Sequence, residues 1–278
     1  MTYRRALPLI LTPLLVLTGA CATAPYTHRS QFIILSESRE SSLGAEAYRE
    51  VLSKEKIDHD SKVIDIVRDV GERIAKSADK ADYKWEFTVI DAPKTVNAFA
   101  LPGGKIAVYT GLFPVAHDTA GLAAVLGHEV GHALAHHAAE RVSQNLLFEV
   151  VGTGLSVALG SQSPGAQQAI MQAFGLGAQV GVLLPFSRTQ EAEADHIGLI
   201  LMAKAGYDPH AALELWKRFE KVEKASPPEF LSTHPNYGTR EDNIESWLPE
   251  AAGYYHPDPS LKVELLPSVP VPVSGSGK

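Results

Sequence analysis

The chain of 278 residues has few of the features that define several protein classes. It contains one cysteine, which excludes a disulfide framework and a zinc cluster built from cysteines. Its net charge is −7, and an acidic chain is a poor general binder of nucleic acid because it repels phosphate. The hydrophobic fraction of 45% is ordinary for a globular protein, which excludes disorder as the general state of the chain.

The first residues have the three parts of a secretory signal peptide. A pair of arginines is followed by an apolar run, Leu7 to Leu17, and then by small residues before Cys21. The run is shorter than the roughly 20 apolar residues that span a membrane. The position of Cys21 resembles the acylation site of bacterial lipoproteins; an ordinary signal peptide with an incidental cysteine is the alternative. We predict a signal peptide at 1–20, lipidation of Cys21 and a tether over 21–40.

Periodicity beyond residue 40 predicts a mainly helical α+β domain over 41–248. Helical spacing occurs over 43–52, 63–78, 119–143, 211–222 and 240–247. Alternating or β-branched residues predict a small sheet, with strands over 85–90, 98–101 and 105–109. Residues 249–278 are rich in Pro, Ser and Gly, which predicts a partly disordered tail.

One segment, Val150 to Ser187, has no charged residue and is rich in glycine. Two apolar helices separated by a polar break fit this composition, and each is shorter than a normal membrane span. Buried or surface-covering helices, membrane contact and a mobile lid are the three interpretations that the composition leaves open.

The motif that carries chemistry is H-E-x-x-H, which runs from His128 to His132. Residues four apart on a helix lie on adjacent turns of one face, so both imidazoles can reach one metal ion. Glu129 points elsewhere on the helix and can serve as base toward a water that the metal activates. The flanking residues are apolar, and a buried helix carries such polar groups at a cost unless they have a task. Histidines satisfied within the core are the alternative.

A catalytic zinc ion needs a third protein ligand and one open position. The residue six positions after His132 is Ala138, so the helix itself does not supply a third histidine at that spacing. Glu191 and Asp195 are four apart on a later helical segment. We predict that Glu191 ligates the metal and that Asp195 orients a ligand imidazole through its second N–H.

Three further ionisable residues lie near these motifs. His136 and His137, one turn beyond His132, are predicted to support the site or to end the helix. Glu193 lies on another face of its helix and is predicted to be a solvated surface acid.

The segments 125–134 and 187–195 together resemble peptidase family M48, which includes the Ste-, HtpX- and Oma-type zinc metallopeptidases. The likeness extends over about 41–247. In layout the chain is most similar to the periplasmic BepA- and LoiP-like lipoprotein proteases of that family. The resemblance implies a gluzincin-type metallopeptidase fold with an active-site helix, a small mixed β-sheet with an edge strand at the cleft, and one Zn²⁺ per chain.

The family's functional residues map onto this sequence one by one. Its zinc ligands correspond to His128, His132 and Glu191. Its general base corresponds to Glu129, and its conserved aspartate to Asp195.

Two other segments resemble the family. One is the edge strand beside the cleft, an exposed strand that can pair with an extended substrate; a structural hairpin is the alternative. The residues of this segment that we expect to contact substrate are Asn97, Ala98, Phe99, Gly103 and Gly104. The other segment contains His234 and Arg240. There the resemblance implies a histidine near the zinc that can gate it, and either cation can stabilise an oxyanion; a turn with a capping histidine is the alternative.

The predicted function, taken from the resemblance, is zinc-dependent hydrolysis of misfolded or misassembled cell-envelope proteins. Those proteins are the expected substrates, and an exported outer-membrane lipoprotein facing the periplasm is the expected localisation, with the acyl chains as membrane anchor. No nucleic-acid partner is expected, and the sequence leaves the oligomeric state open. The alternative from another class is a zinc-stabilised periplasmic chaperone or assembly factor for outer-membrane proteins, with latent or minor proteolysis.

Overall fold

The structure is a computed structural model that describes residues 21–145, 187–225, 228–235 and 238–268. The strands are β1 Cys21–Thr23, β2 Ser30–Phe32, β3 Glu86–Ile90, β4 Ala98–Leu101 and β5 Lys105–Tyr109. The helices are α1 Glu37–Leu52, α2 Ser61–Ser77, α3 Phe113–Ala116 (after a 3-10 turn at Thr110–Leu112), α4 Thr119–Leu134, α5 Arg188–Lys204, α6 His210–Ala225, α7 Glu229–Thr233 and α8 Arg240–Ala252. This mainly helical architecture with a small mixed sheet confirms the predicted fold class.

Helices α1 and α2 start earlier than apolar spacing predicted, because capping residues set their first turns. At α1 the Ser36 side chain accepts a hydrogen bond from the backbone N–H of Arg39. At α2 the Asp60 carboxylate accepts from the N–H of Lys62 at 2.9 Å. Such side chains satisfy backbone donors that have no partner within the helix. The first turns are polar, so they lie outside the apolar pattern.

The three-stranded sheet has the order β3-β5-β4. β3 is parallel to β5, and β4 is antiparallel to it, with Phe99 opposite Ala107. Gly103 and Gly104 join β4 to β5 with φ of +82° and +85°, a conformation that residues with a Cβ adopt at a cost. The predicted hairpin at the glycine pair is confirmed, and it leaves β4 at an edge of this sheet.

The predicted continuous helix over 119–143 is interrupted. α4 ends at Leu134, His136 has φ of +51°, and residues 137–145 are helical again. The Nδ1 atom of His136 lies 2.7 Å from Oε2 of Glu40 on α1, which holds the turn in place. A single left-handed residue leaves the apolar spacing on both sides intact, so periodicity gave no sign of it. The break reorients His137 relative to α4.

Both ends of the described chain pack against the domain, so the packed unit extends beyond the predicted limits of 41 and 248. β1 pairs with β2 in an antiparallel hairpin, and Ala24 between them belongs to the core, so part of the predicted tether is ordered. Near the other end, the N–H of Leu266 donates to the carbonyl of His117. Acylation of Cys21 stays a prediction.

Three predicted features lie outside the described residues: the signal peptide at 1–20, the end of the tail at 269–278 and almost all of the uncharged segment 150–187.

Among the described helices, none combines the length and the apolar character needed to cross a membrane.

Candidate metal centre

α4 is buried along its whole length, and it carries the H-E-x-x-H motif. Its first turn is capped by Asp118, whose Oδ1 accepts from the N–H groups of Ala120 and Gly121 at 3.1 and 2.8 Å. The helix is so apolar that it lies inside the core instead of on one side of it. His128, Glu129 and His132 are therefore held by protein on all sides, which fixes their rotamers.

α5 crosses α4 at very short range because glycines line the contact. A Cβ built on Gly127 would lie 2.7 Å from the carbonyl oxygen of Gly198, and one on Gly131 would lie 2.8 Å from that of Ala194. A Cβ on Gly198 would lie 2.7 Å from the backbone nitrogen of His128. This close approach brings the α5 carboxylates to the α4 imidazoles.

Four predicted residues converge at this crossing: His128, His132, Glu191 and His234. Each offers one potential ligand atom, and the four atoms lie within 4.8 Å of one another. The Nε2 atoms of His128 and His132 are 3.1 Å apart, and Oε1 of Glu191 lies 3.3 Å from Nε2 of His132. Nδ1 of His234 lies 3.2 Å from Nε2 of His128 and 3.0 Å from Oε1 of Glu191. All four side chains are buried.

The hydrogen bond on the far side of the His128 imidazole leaves its other ring nitrogen able to bind a cation. Nδ1 of His128 lies 2.9 Å from Oδ1 of Asp195, a carboxylate oxygen that only accepts, so this nitrogen carries the proton. A neutral imidazole then has its lone pair on Nε2, which faces the ligand cluster. Lone pairs of this kind, with the Glu191 carboxylate beside them, are the nitrogen and oxygen donors that zinc accepts.

The electrostatics of the cluster favour the same protonation states. Burial lowers the pKa of His128 and of His132 well below the usual value, so both imidazoles are neutral at pH 7. Burial alone raises the pKa of Glu191, but the nearby His234 and Arg240 outweigh it and hold that pKa well below its usual value. Metal ligands must be deprotonated, and these three are.

Glu129 lies beside the cluster and close to β4. Its Oε2 accepts from the N–H of Ala100 at 3.3 Å, and its Oε1 lies 3.4 Å from Nε2 of His234. Burial raises the pKa of Glu129 to about 7. A carboxyl group with this pKa exchanges protons readily near neutral pH, which suits a general acid or base.

Asp195 and Arg240 contact the predicted ligands on the side away from the cluster. The Arg240 guanidinium contacts Oδ2 of Asp195 at 2.6 Å and Oε2 of Glu191 at 2.8 Å, and it lies 3.4 Å from the ring centroid of Trp216. Burial raises the pKa of Asp195 to about 6, against the opposing charge of Arg240. These contacts favour an orienting function for Arg240; oxyanion stabilisation stays a prediction.

The five residues predicted to contact substrate lie partly on β4 and partly on either side of it. β4 passes the site with Ala100 bonded to Glu129, and Ala98 is buried at its start. The Phe99 ring is partly buried and packs between Tyr48 and Tyr109. The other predicted residues flank the strand: Asn97 just before it, and Gly103 and Gly104 in the turn that follows it. Substrate contact stays a prediction for all five.

The position of Glu193 differs from the prediction, and the position of His137 was predicted only in general terms. Glu193 was predicted to be a solvated surface acid, but the structure buries its side chain to 3% exposure. Its Oε2 lies 2.9 Å from Nε2 of His137, and Nδ1 of His137 lies 2.8 Å from Nδ1 of His132. Burial raises the pKa of Glu193, but hydrogen bonds from His137 and Arg29 hold it at about 2. The break at His136 creates this contact, and no sequence signal marked it.

Residues 63–248 match the model of peptidase family M48. The chain is 39% identical to mitochondrial metalloendopeptidase OMA1 of Schizosaccharomyces pombe and 30% identical to that of Saccharomyces cerevisiae, over 82% and 87% of its length. It is 29% identical to the beta-barrel assembly-enhancing protease of Escherichia coli O157:H7, over 77% of its length. The alignments span 66%, 75% and 44% of these three relatives.

The predicted localisation, an exported outer-membrane lipoprotein facing the periplasm, is wrong by this comparison. The relatives with higher identity and coverage are mitochondrial proteins, and the bacterial proteases are more distant. A start that is positively charged and free of acids is common to several kinds of targeting segment, so its composition does not decide the compartment.

The family model covers well over half of the chain, and the residues that we predicted as ligands, base and orienting group lie together in one buried site. Because the relatives are named metalloendopeptidases and proteases, the prediction of a metalloendopeptidase is confirmed at the level of the family. This chain belongs to peptidase family M48.

Proposed function

We propose that the chain is a zinc-dependent endopeptidase, with zinc held by His128, His132 and Glu191. The observation that carries the proposal is the convergence of two neutral imidazoles and one carboxylate, with a second carboxyl group, Glu129, beside them. This is the division into ligands and base that hydrolysis of an amide bond at a metal centre requires.

The residues of the site have separate tasks in this reaction. Zinc, when bound, supplies a Lewis acid that polarises the peptide carbonyl and activates water. Glu129 accepts the proton of the attacking water and then gives it to the leaving amine, which its raised pKa of about 7 permits. The edge strand β4 lies where an extended peptide can pair with it next to Glu129.

The proposed substrates are misfolded or misassembled proteins. A chain with lost tertiary structure exposes extended segments, which is the form that an edge strand binds by backbone hydrogen bonds. The name of the bacterial relatives, beta-barrel assembly-enhancing protease, supports a substrate of this kind.

Removal of the metal tests the proposal directly. We expect a chelator to abolish cleavage of unfolded casein by the purified protein and stoichiometric Zn²⁺ to restore it. Mg²⁺ prefers oxygen ligands and octahedral geometry, so it should restore nothing at this imidazole-rich site. The measurement is the rate of peptide release, with bound metal quantified in the same sample. Cleavage that persists in the metal-free protein would overturn the proposal.

His234 supports a second candidate function, a zinc-stabilised chaperone or assembly factor whose proteolysis is latent. Its imidazole lies among the ligands, 3.2 Å from Nε2 of His128 and 3.0 Å from Oε1 of Glu191. A ring in this position takes the space that water and the scissile carbonyl need. The two functions differ in whether the wild-type protein cleaves the unfolded proteins that it binds.

Replacing His234 separates the two functions. If the closed arrangement is favoured by ~1.4 kcal/mol, His234→Ala should raise the rate of casein cleavage about tenfold. His196→Ala is the matched control, because His196 stacks on Trp247 away from the cluster. A rate that stays constant or falls in His234→Ala would contradict latency, and a fall would favour oxyanion stabilisation by His234.

A further inference from the structure

The ligand imidazole of His132 is held from behind by a second histidine. Nδ1 of His132 lies 2.8 Å from Nδ1 of His137, and Nε2 of His137 lies 2.9 Å from Oε2 of Glu193. All three side chains are buried. They form a continuous line from the metal centre toward the N-terminal hairpin.

The Glu193 carboxylate at the end of this line decides which ring nitrogens of His137 and His132 carry a proton. The Glu193 carboxylate only accepts, so Nε2 of His137 carries a proton and donates. Nδ1 of a neutral His137 then accepts, which requires Nδ1 of His132 to donate its proton. The lone pair of His132 is left on Nε2, the atom that faces Glu191 at 3.3 Å. The Glu193 carboxylate thus selects the tautomer that can ligate a metal.

Glu193 is itself positioned by the hairpin of β1 and β2. Arg29 contacts Oε2 of Glu193 through Nε at 2.8 Å and Nη2 at 2.7 Å, and the Thr27 hydroxyl donates to Oε1. The same guanidinium forms a two-pronged contact with Glu140 at 2.7 and 2.8 Å. Arg29 therefore joins α5 to the helical segment 137–145 that carries His137. Charge-assisted pairs with a planar guanidinium fix the relative positions of the two side chains and also stabilise their contact.

The other ligand imidazole has an equivalent arrangement. His128 donates to Asp195, and Asp195 is held by Arg240. Each ligand imidazole is thus linked to a carboxylate that contacts an arginine. The link is direct for His128 and runs through His137 for His132. The difference is that Arg240 belongs to α8, within the region matched by the family model, whereas Arg29 lies outside that region.

We propose that Arg29 is a positioning residue of the metal centre: it fixes Glu193, which orients His137, which holds His132 in the tautomer that ligates the metal. This inference rests on the proposed zinc site. It makes the N-terminal hairpin part of the active site instead of a tether.

The test is the zinc affinity of purified variants, measured by chelator competition. We expect Arg29→Gln and His137→Phe each to weaken zinc binding about 10- to 100-fold, the usual loss when a residue behind a ligand is removed. Because Arg29 acts through His137, the double variant should bind zinc no more weakly than His137→Phe alone. Two unrelated structural defects would multiply instead.

Milder and matched variants complete the design. Thr27→Val preserves shape and both ion pairs of Arg29, so it folds even if Arg29→Gln does not, and a several-fold loss of affinity is expected. Arg73→Gln breaks the partly exposed pair with Asp258 and should leave zinc affinity unchanged. In the metal-free protein, nitrogen NMR should show the His132 proton on Nδ1 in the wild type.

The outcomes separate the two claims. Wild-type protein that binds no zinc would overturn the proposed function. Wild-type protein that binds zinc, with unchanged affinity in Arg29→Gln and Thr27→Val or with multiplied losses in the double variant, would overturn the positioning role of Arg29 alone.

Discussion

Glu129→Gln should reduce peptide-bond cleavage by about 10²- to 10⁴-fold, the typical contribution of a positioned general base. Glutamine has the size of glutamate, and its amide oxygen can still accept from the N–H of Ala100, so the local packing is preserved. What it lacks is the ability to take a proton from water. The measurement is the initial rate of casein cleavage at pH 7 with zinc saturating.

The metal content of Glu129→Gln distinguishes a base from a ligand. In the site the three predicted ligands approach one another from α4 and α5, and Glu129 faces Ala100 and His234 instead. The variant should therefore bind zinc as tightly as the wild type. Glu245→Gln, an exposed position on α8, is the control for the same chemical change. Undiminished cleavage, or loss of zinc, would contradict the assignment of Glu129.

Gly198→Val should disrupt the metal centre without altering any residue of it. A Cβ at this position would lie 2.7 Å from the backbone nitrogen of His128 and 2.8 Å from the carbonyl carbon of Gly127, so α4 and α5 must separate. Overpacking of this kind destabilises a core by roughly 1–3 kcal/mol, and contacts with backbone are at the high end of that range. Glu191 and Asp195 would move away from the imidazoles together.

The expected results are a lower melting temperature and loss of both zinc binding and cleavage. Gly238→Val is the matched control, because a Cβ there would meet nothing within 4 Å. If Gly198→Val kept full zinc affinity and stability, the close crossing of α4 and α5 would have no part in assembling the site.

Much of the chemistry was predictable from local sequence. The spacing of His128 and His132 is a property of one helical turn, and the same holds for Glu191 and Asp195. The hairpin at Gly103 and Gly104 was predictable because a turn depends on the residues within it. Each of these features depends only on residues that lie close together in the sequence.

Other features were decided by contacts between distant parts of the chain. The sequence showed Glu193 only as a charge on a helix, and its burial depends on Arg29 and Thr27, more than 160 positions away. The segment 21–40 looked like a tether because its composition is polar, yet the Thr27 and Arg29 side chains bond to Glu193 and Arg29 also bonds to Glu140. A polar composition predicts exposure to solvent only when the fold provides no hydrogen-bond partners for the polar groups.

The sequence by itself determined which residues can ligate a metal and which one can act as base, since these depend on side-chain chemistry and helical spacing. The tertiary structure alone decided how the predicted ligands are oriented. The break at His136 brings His137 to His132, and the glycine contacts of α4 and α5 bring Asp195 to His128. The physical reason is that a tautomer is set by the partner of the second ring nitrogen, and that partner comes from another segment of the fold.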